Sequence, residues 1–121
     1  DGESYVKIYD GSISSTFPPL FPSPIFSYIF NEGSETKPPE PPNTTTFIIG
    51  NTYTIYCYRI SDNGSYIDAQ VYNDGADLIN INDQAEGGNS EQTLLKIIFT
   101  IPNGFDINND SLNIYILFTS N

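Results

Sequence analysis

Histidine, methionine and tryptophan are missing from this chain of 121 residues, and there is a single cysteine. Without histidine, most zinc sites, Ser-His-Asp triads and imidazole acid–base chemistry are excluded. Cys57 has no second cysteine to bridge, so an internal disulfide is excluded as well. It sits in an alternating apolar stretch, where it is expected to be a small core residue and not a nucleophile. Bases are almost as scarce. Lys7, Lys37, Arg59 and Lys96 stand against fifteen acids, for a net charge of −11. Nucleic-acid binding needs clustered Lys and Arg to neutralise phosphates, so that class is excluded. An anionic membrane surface repels the chain for the same reason. No apolar run approaches the ~20 residues of a membrane helix, so no membrane insertion is expected. No glycine-rich loop suited to phosphate is present. Paired carboxylates serve glycoside hydrolases, but fifteen acids single out no pair, and no enzymatic activity is expected. So few Lys and Arg leave few sites for trypsin-like proteases, which suits an exposed extracellular part. A chain that starts at Asp1 and lacks Met reads as processed or as a fragment.

What remains is rich in Ile, Tyr, Phe, Thr and Asn, with nine Tyr and eight Phe. These β-branched and aromatic residues fit the pleated, half-buried surface of a sheet. Tyr5–Tyr9 alternates and closes on Asp10-Gly11. Residues 12–24 carry four prolines and cannot form a regular central strand. Ile25–Phe30 is a second strand candidate. Residues 34–46 are polar and Pro-rich and read as a long surface loop with polyproline character. Thr52–Ile60 and Tyr66–Tyr72 alternate on either side of Asn63-Gly64, a strong hairpin signal. Ala76–Ile81 reads as a strand and residues 82–92 as a polar loop. Thr93–Ile101 and Leu112–Thr119 complete the set. The spacing predicts an all-β fold, a single antiparallel β-sandwich of jelly-roll or Ig-like type with about 7–8 strands. One domain spans residues 1–121, its N-terminal strand and Pro-rich segment (1–46) packing in a way the pattern does not specify.

Alternation assigns faces. Ile55, Cys57, Ile67, Val71, Leu95, Ile97, Ile114 and Phe118 form the inward sets. The outward sets hold Tyr56, Tyr58, Tyr66, Tyr72 and Tyr115 among Asp68 and Gln70. If these strands are neighbours, the rings form a platform. Sugars stack their C–H faces on such rings while amides and carboxylates bind their hydroxyls, so this set is the candidate glycan site. A solvated or subunit-covered tyrosine face fits the same pattern.

The stretch Gly50–Arg59 (GNTYTIYCYR) resembles the "G-x-x-Y-T-hydrophobic-x-hydrophobic-Y" strand of jelly-roll carbohydrate-binding modules. Leu95–Pro102 (LKIIFTIP) and Leu112–Thr119 resemble the closing strands of that fold. The resemblance covers about residues 47–119 and implies a β-sandwich that binds carbohydrate. The same pattern occurs in phage fibre and other virion proteins, and Lys7–Ser12 (KIYDGS) resembles segments of phage structural proteins.

Two further features suggest partners. Tyr5, Val6, Lys7, Ile8 and Tyr9 form a short strand followed by a Pro-rich tether, the layout of a strand that pairs with a neighbour's open sheet edge. Pairing within its own sheet is the competing expectation. Asp106, Asn108 and Asp110 alternate in a loop, as Ca²⁺ ligands do; no other cofactor is implied. Asn43, Asn63 and Asn109 head N-glycosylation sequons. The expected function is that of a non-catalytic structural or adhesive subunit of a filament, fibre or virion at an extracellular or cell surface. Its partners would be copies of itself or other surface subunits, with glycans as the alternative.

Overall fold

The computed structural model describes residues 3–31, 35–36, 46–73 and 79–120. It is an all-β sandwich. In chain order the strands are β1 (Glu3–Asp10), β2 (Phe26–Asn31), β3 (Glu35–Thr36), β4 (Thr52–Ile60), β5 (Ser65–Asn73), β6 (Asn80–Gly87), β7 (Gln92–Thr100) and β8 (Leu112–Ser120). Sheet 1 has the order β2-β1-β4-β7 and sheet 2 the order β3-β8-β5-β6, with antiparallel neighbours throughout. The connections β2→β3, β3→β4, β4→β5, β6→β7 and β7→β8 each change sheet. The chain thus crosses repeatedly between the sheets and is not a meander of hairpins.

Two-residue periodicity fills the space between the sheets. Val6 and Ile8 of β1, Tyr53, Ile55 and Cys57 of β4, and Leu95, Ile97 and Phe99 of β7 point inward from sheet 1. Ile67, Ala69 and Val71 of β5 meet them with Ile114, Ile116 and Phe118 of β8. Phe47 closes one end against Tyr53 and Phe99, at ring-centroid distances of 5.0 and 5.8 Å. The Tyr53 hydroxyl, buried beside them, accepts the Ile48 amide at 2.7 Å, which removes the cost of an unsatisfied polar group.

The structure departs from the sequence reading in three places. Asn63-Gly64 does not make a hairpin. Gly64 does take the positive φ of 85° that its turn requires, but β4 and β5 lie in opposite sheets. Turn chemistry is local and does not specify which sheet receives the next strand. The polar segment after residue 82 is not all loop: β6 runs to Gly87. As an edge strand it needs few inward apolar residues, and Ile81 and Ala85 suffice. Of the Ala76–Ile81 strand, residues 76–78 lie outside the described residues. Within the Pro-rich stretch 34–46, Glu35–Thr36 pairs with β8; residues 37–45, Asn43 among them, lie outside the described residues.

The N-terminal segment has a definite place. Tyr5, Val6, Lys7, Ile8 and Tyr9 pair within their own chain, between β2 and β4. Val6 and Ile8 enter the chain's own core, 2% and 0% exposed. Exchange through this strand would have to break both ladders first.

Candidate functional site

The seven residues of the expected glycan platform do not meet on one surface. Tyr56 and Tyr58 belong to β4 in sheet 1, whereas Tyr66, Asp68, Gln70, Tyr72 and Tyr115 belong to β5 and β8 in sheet 2. The two outer faces point in opposite directions, so the platform is divided.

Tyr56 is also not a surface residue. It is 0% exposed, and Thr54 beside it likewise. The cover is the Pro-rich segment 11–24, which lies as a strap across the outer face of sheet 1. The Tyr56 hydroxyl donates to the Ser15 carbonyl at 2.9 Å. The Thr54 hydroxyl donates to the Gly11 carbonyl at 2.7 Å and accepts the Ile13 amide at 3.0 Å. The Tyr9 hydroxyl donates to the Pro19 carbonyl at 3.4 Å, and its ring meets Tyr56 edge-on at 5.7 Å. Lys96 reaches over from β7 and donates to the carbonyls of Ile13, Ser14 and Ser15 at 3.0, 3.2 and 3.3 Å. Burial raises the Tyr9 phenol above its ordinary value, with Tyr56 adding to the shift.

These ties hold the strap's backbone, and Pro18, Pro19, Pro22 and Pro24 fix φ at four further points. Its apolar side chains nevertheless face solvent. Phe17 is 56% exposed, Leu20 90% and Phe21 85%. Alongside the strap, the register places Ile29, Tyr5, Tyr58 and Leu94 in one row across all four strands of sheet 1. Ile29 is 53% exposed. Tyr5 stacks on Tyr58 with centroids 5.0 Å apart, and the Lys7 ammonium lies 4.4 Å from the Tyr5 centroid. The result is an apolar and aromatic surface, with lysine as its charge, on the outer side of sheet 1.

Sheet 2 presents the opposite chemistry. Tyr66, Asp68, Gln70 and Tyr72 alternate outward on β5, facing Glu86, Gln84, Asn82 and Asn80 of β6. On the other flank they face Thr119, Leu117, Tyr115 and Asn113 of β8. Tyr72 and Tyr115 are diagonal neighbours, about 7–8 Å apart, whereas Tyr66 sits six residues, about 20 Å, along the strand. Partial burial raises the Tyr66 phenol, and the Asp68 and Glu86 carboxylates raise it further. Strands β5, β6 and β8 contain no Lys or Arg. The depression beside Asn82, Asp83 and Gln84 measures about 420 Å³ and is open and polar, unlike the enclosed apolar clefts that hold most small molecules.

The remaining candidates are accounted for locally. In the 106–110 loop the Asp106 carboxylate accepts the Asn108 amide at 3.1 Å and the Asn109 side-chain amide at 2.6 Å. The Asp110 carboxylate accepts the Asp106 amide at 2.9 Å. Both carboxylates thus cap the turn, and the hydrogen bonds to Asp106 lower its pKa. Among the described residues no group of three or more His, Cys, Asp or Glu is placed to hold a metal. Asn63 and Asn109 are exposed. Cys57 is fully buried, and loss of solvation pushes its thiol well above the ordinary range, so it is no nucleophile.

Sequence reasoning missed the strap surface altogether. The signal was available in Phe17, Leu20 and Phe21, large apolar residues set among prolines where no core could take them. Comparison with protein-family models, curated proteins and solved structures returns no match.

Proposed function

We propose that this chain is a non-catalytic structural or adhesive subunit of an extracellular surface assembly, and that it engages its neighbours through the outer side of sheet 1. The observation that carries this reading is the strap. Two consecutive large apolar side chains, Leu20 and Phe21, stand 90% and 85% exposed on a strap tied to sheet 1 at Ile13, Ser15 and Pro19. Monomers seldom tolerate exposed apolar patches without a use for them. A rigid loop loses little conformational entropy on docking, so such residues serve well as anchors. The disposition of bases supports an exposed location. Among the described residues, Arg59 is buried, Lys96 is tied to the strap and Lys7 lies on a ring, so these three bases offer trypsin-like proteases little.

The test is assembly of the purified chain, followed by electron microscopy and sedimentation as concentration rises. The Leu20→Ser, Phe21→Ser double variant is expected to lose higher-order assembly while its unfolding free energy stays within about 0.5 kcal/mol of the parent, as for surface changes generally. A parent chain that never assembles, or a variant that assembles equally well, overturns the reading.

A second reading keeps one observation in its favour. Tyr66, Tyr72 and Tyr115 do share the outer face of sheet 2 with Asp68 and Gln70, so carbohydrate stacking there is the alternative. Binding on a glycan array that disappears in Tyr72→Ala and Tyr115→Ala would support it; no binding to any glycan would end it.

A further inference from the structure

Among the described residues no strand pairs with the outer edge of β7. Sheet 1 ends there, and β7 is the longest of the four edge strands, with nine residues against six in β2, two in β3 and eight in β6. Its ladder to β4 is continuous from Gln92 to Thr100, without a bulge or proline to bend it away. Just beyond the strand, the Ile101 amide donates to the Asn51 carbonyl and the Ile101 carbonyl accepts the Gly50 amide. Antiparallel pairing alternates, so Phe99, Ile97, Leu95 and Thr93 also turn their backbone groups toward β4. The N–H and C=O groups of Gln92, Leu94, Lys96, Ile98 and Thr100 then point outward. Among the described residues none hydrogen-bonds to them.

Native edges are normally guarded by charge, proline or distortion, and lysine is the commonest guard. β6 has such protection: Asp83 sits at an inward-facing position and Glu86 lies three residues on. On β7 the single charge is Lys96, and the strap draws its ammonium away to the carbonyls of Ile13, Ser14 and Ser15. The strap therefore removes the guard from the strand beside it.

We infer that β7 is the joint between two copies of this chain, pairing antiparallel with β7 of a second copy to give a continuous sheet of eight strands. Charge selects a second copy as the occupant. The chain carries −11 overall, but β7 contains no acid, so the two joined strands set no carboxylates against each other. Joining two β6 edges would set Asp83 and Glu86 against their counterparts. The strand is self-complementary in a register centred on Ile97. Lys96 then faces Ile98 of the second copy, Leu94 faces Thr100, and Leu95 faces Phe99. A register centred on Lys96 would oppose like charges and is disfavoured. The joint extends the subunit reading given above, but it rests on a different surface from the strap's apolar side chains.

The test uses the full chain in the Leu20→Ser, Phe21→Ser background, so that association through the strap is already removed. Sedimentation is expected to show a dimer that tightens as salt screens the net charge. Thr100→Cys carries a spin label, with Cys57 buried beyond reach of the reagent. The expected label separation is about 20 Å, six residues of strand rise, whereas a register centred on Lys96 gives about 27 Å. Ile98→Lys, which opposes Lys96 of the second copy, should weaken the dimer at least tenfold. Ile98→Pro removes an edge N–H without touching the β4 ladder, a substitution edge strands accept, and should do the same. A chain monomeric at all salt concentrations overturns the inference, as does a dimer indifferent to both Ile98 variants or one with another separation. A dimer at about 20 Å with no higher assembly in the parent chain would leave the joint standing and remove the strap reading.

Discussion

Tyr56 shows how far a residue's neighbours can reverse its apparent role. Alternation along β4 correctly turns it away from the core of Ile55 and Cys57, and the strap then buries it completely. Its hydroxyl and ring therefore contribute to stability. Tyr56→Phe should cost about 1 kcal/mol, the net worth of one hydrogen bond, and Tyr56→Ala about 3–5 kcal/mol, the range for a deleted buried aromatic. Urea unfolding measures both, and a neutral Tyr56→Ala would place the ring in water. Asp106 gives a pH dependence of definite sign. Its pKa is lowered in the fold by the amides of Asn109 and Asn108, relative to about 3.9 in an unfolded chain. Its contribution is thus fully present above pH ~4 and is lost as pH falls through the lower folded value. Thermal unfolding between pH 2 and pH 5 should show Asp106→Asn less stable than the parent near neutrality, with the gap closing in acid. A gap that widens in acid would refute the assignment. Inward residues such as Ile55, Val71 and Ile114 were readable from periodicity alone, and all are buried. Tyr56 was not, because alternation reports which side of a strand a residue occupies but not what lies over it.

Among the elements, the strap and β6 define what the sequence left unread. Four prolines in residues 12–24 correctly exclude a central strand, and they say nothing of where the segment lies. Its place is set by partners distant in sequence, Thr54, Tyr56 and Lys96, that no local pattern connects to it. The sequence pattern ends the strand at Ile81 and takes 82–87 for loop, because an edge strand with a solvated outer face reads like a loop when its polar residues are Asn, Asp, Gln and Glu. Asn63-Gly64 signals a hairpin and makes only the turn. Only the assumption that a turn joins neighbouring strands of one sheet failed. The strap's attachment has a measurable consequence. Lys96→Met keeps the apolar stem, and loses the ammonium that spans three carbonyls. The expected cost is about 1.5 kcal/mol, the low end for hydrogen bonds to a charged group because the contacts are partly exposed. Amide exchange at Ile13, Ser14 and Ser15 should accelerate in this variant while that of β5 and β8 stays unchanged. Equal acceleration throughout would mean that Lys96 supports the whole sandwich and not the strap.

The whole molecule is two-sided. Lys7, Arg59 and Lys96 all lie on sheet 1, while β5, β6 and β8 of sheet 2 carry Asp68, Asp83 and Glu86 without a base. The side with the strap is apolar, with Lys7 and Lys96 as its outward-facing bases and Arg59 buried beneath, and the other is polar and acidic. In a chain of net charge −11, copies meeting through sheet 2 would repel, and copies meeting through sheet 1 would bury Leu20, Phe21 and Ile29. The crossing between sheets produces this division, because it sends β4 and β5 to opposite sheets and so separates tyrosines that stand close in sequence. Hydrogen exchange compared between assembled and dissociated chain tests the central claim most directly. Added protection is expected at Phe17, Leu20, Phe21 and the outward amides of β7, with Ser65–Asn73 and Asn80–Gly87 unaltered. Protection confined to β5 and β6, with the strap exchanging as freely as in the monomer, would contradict it.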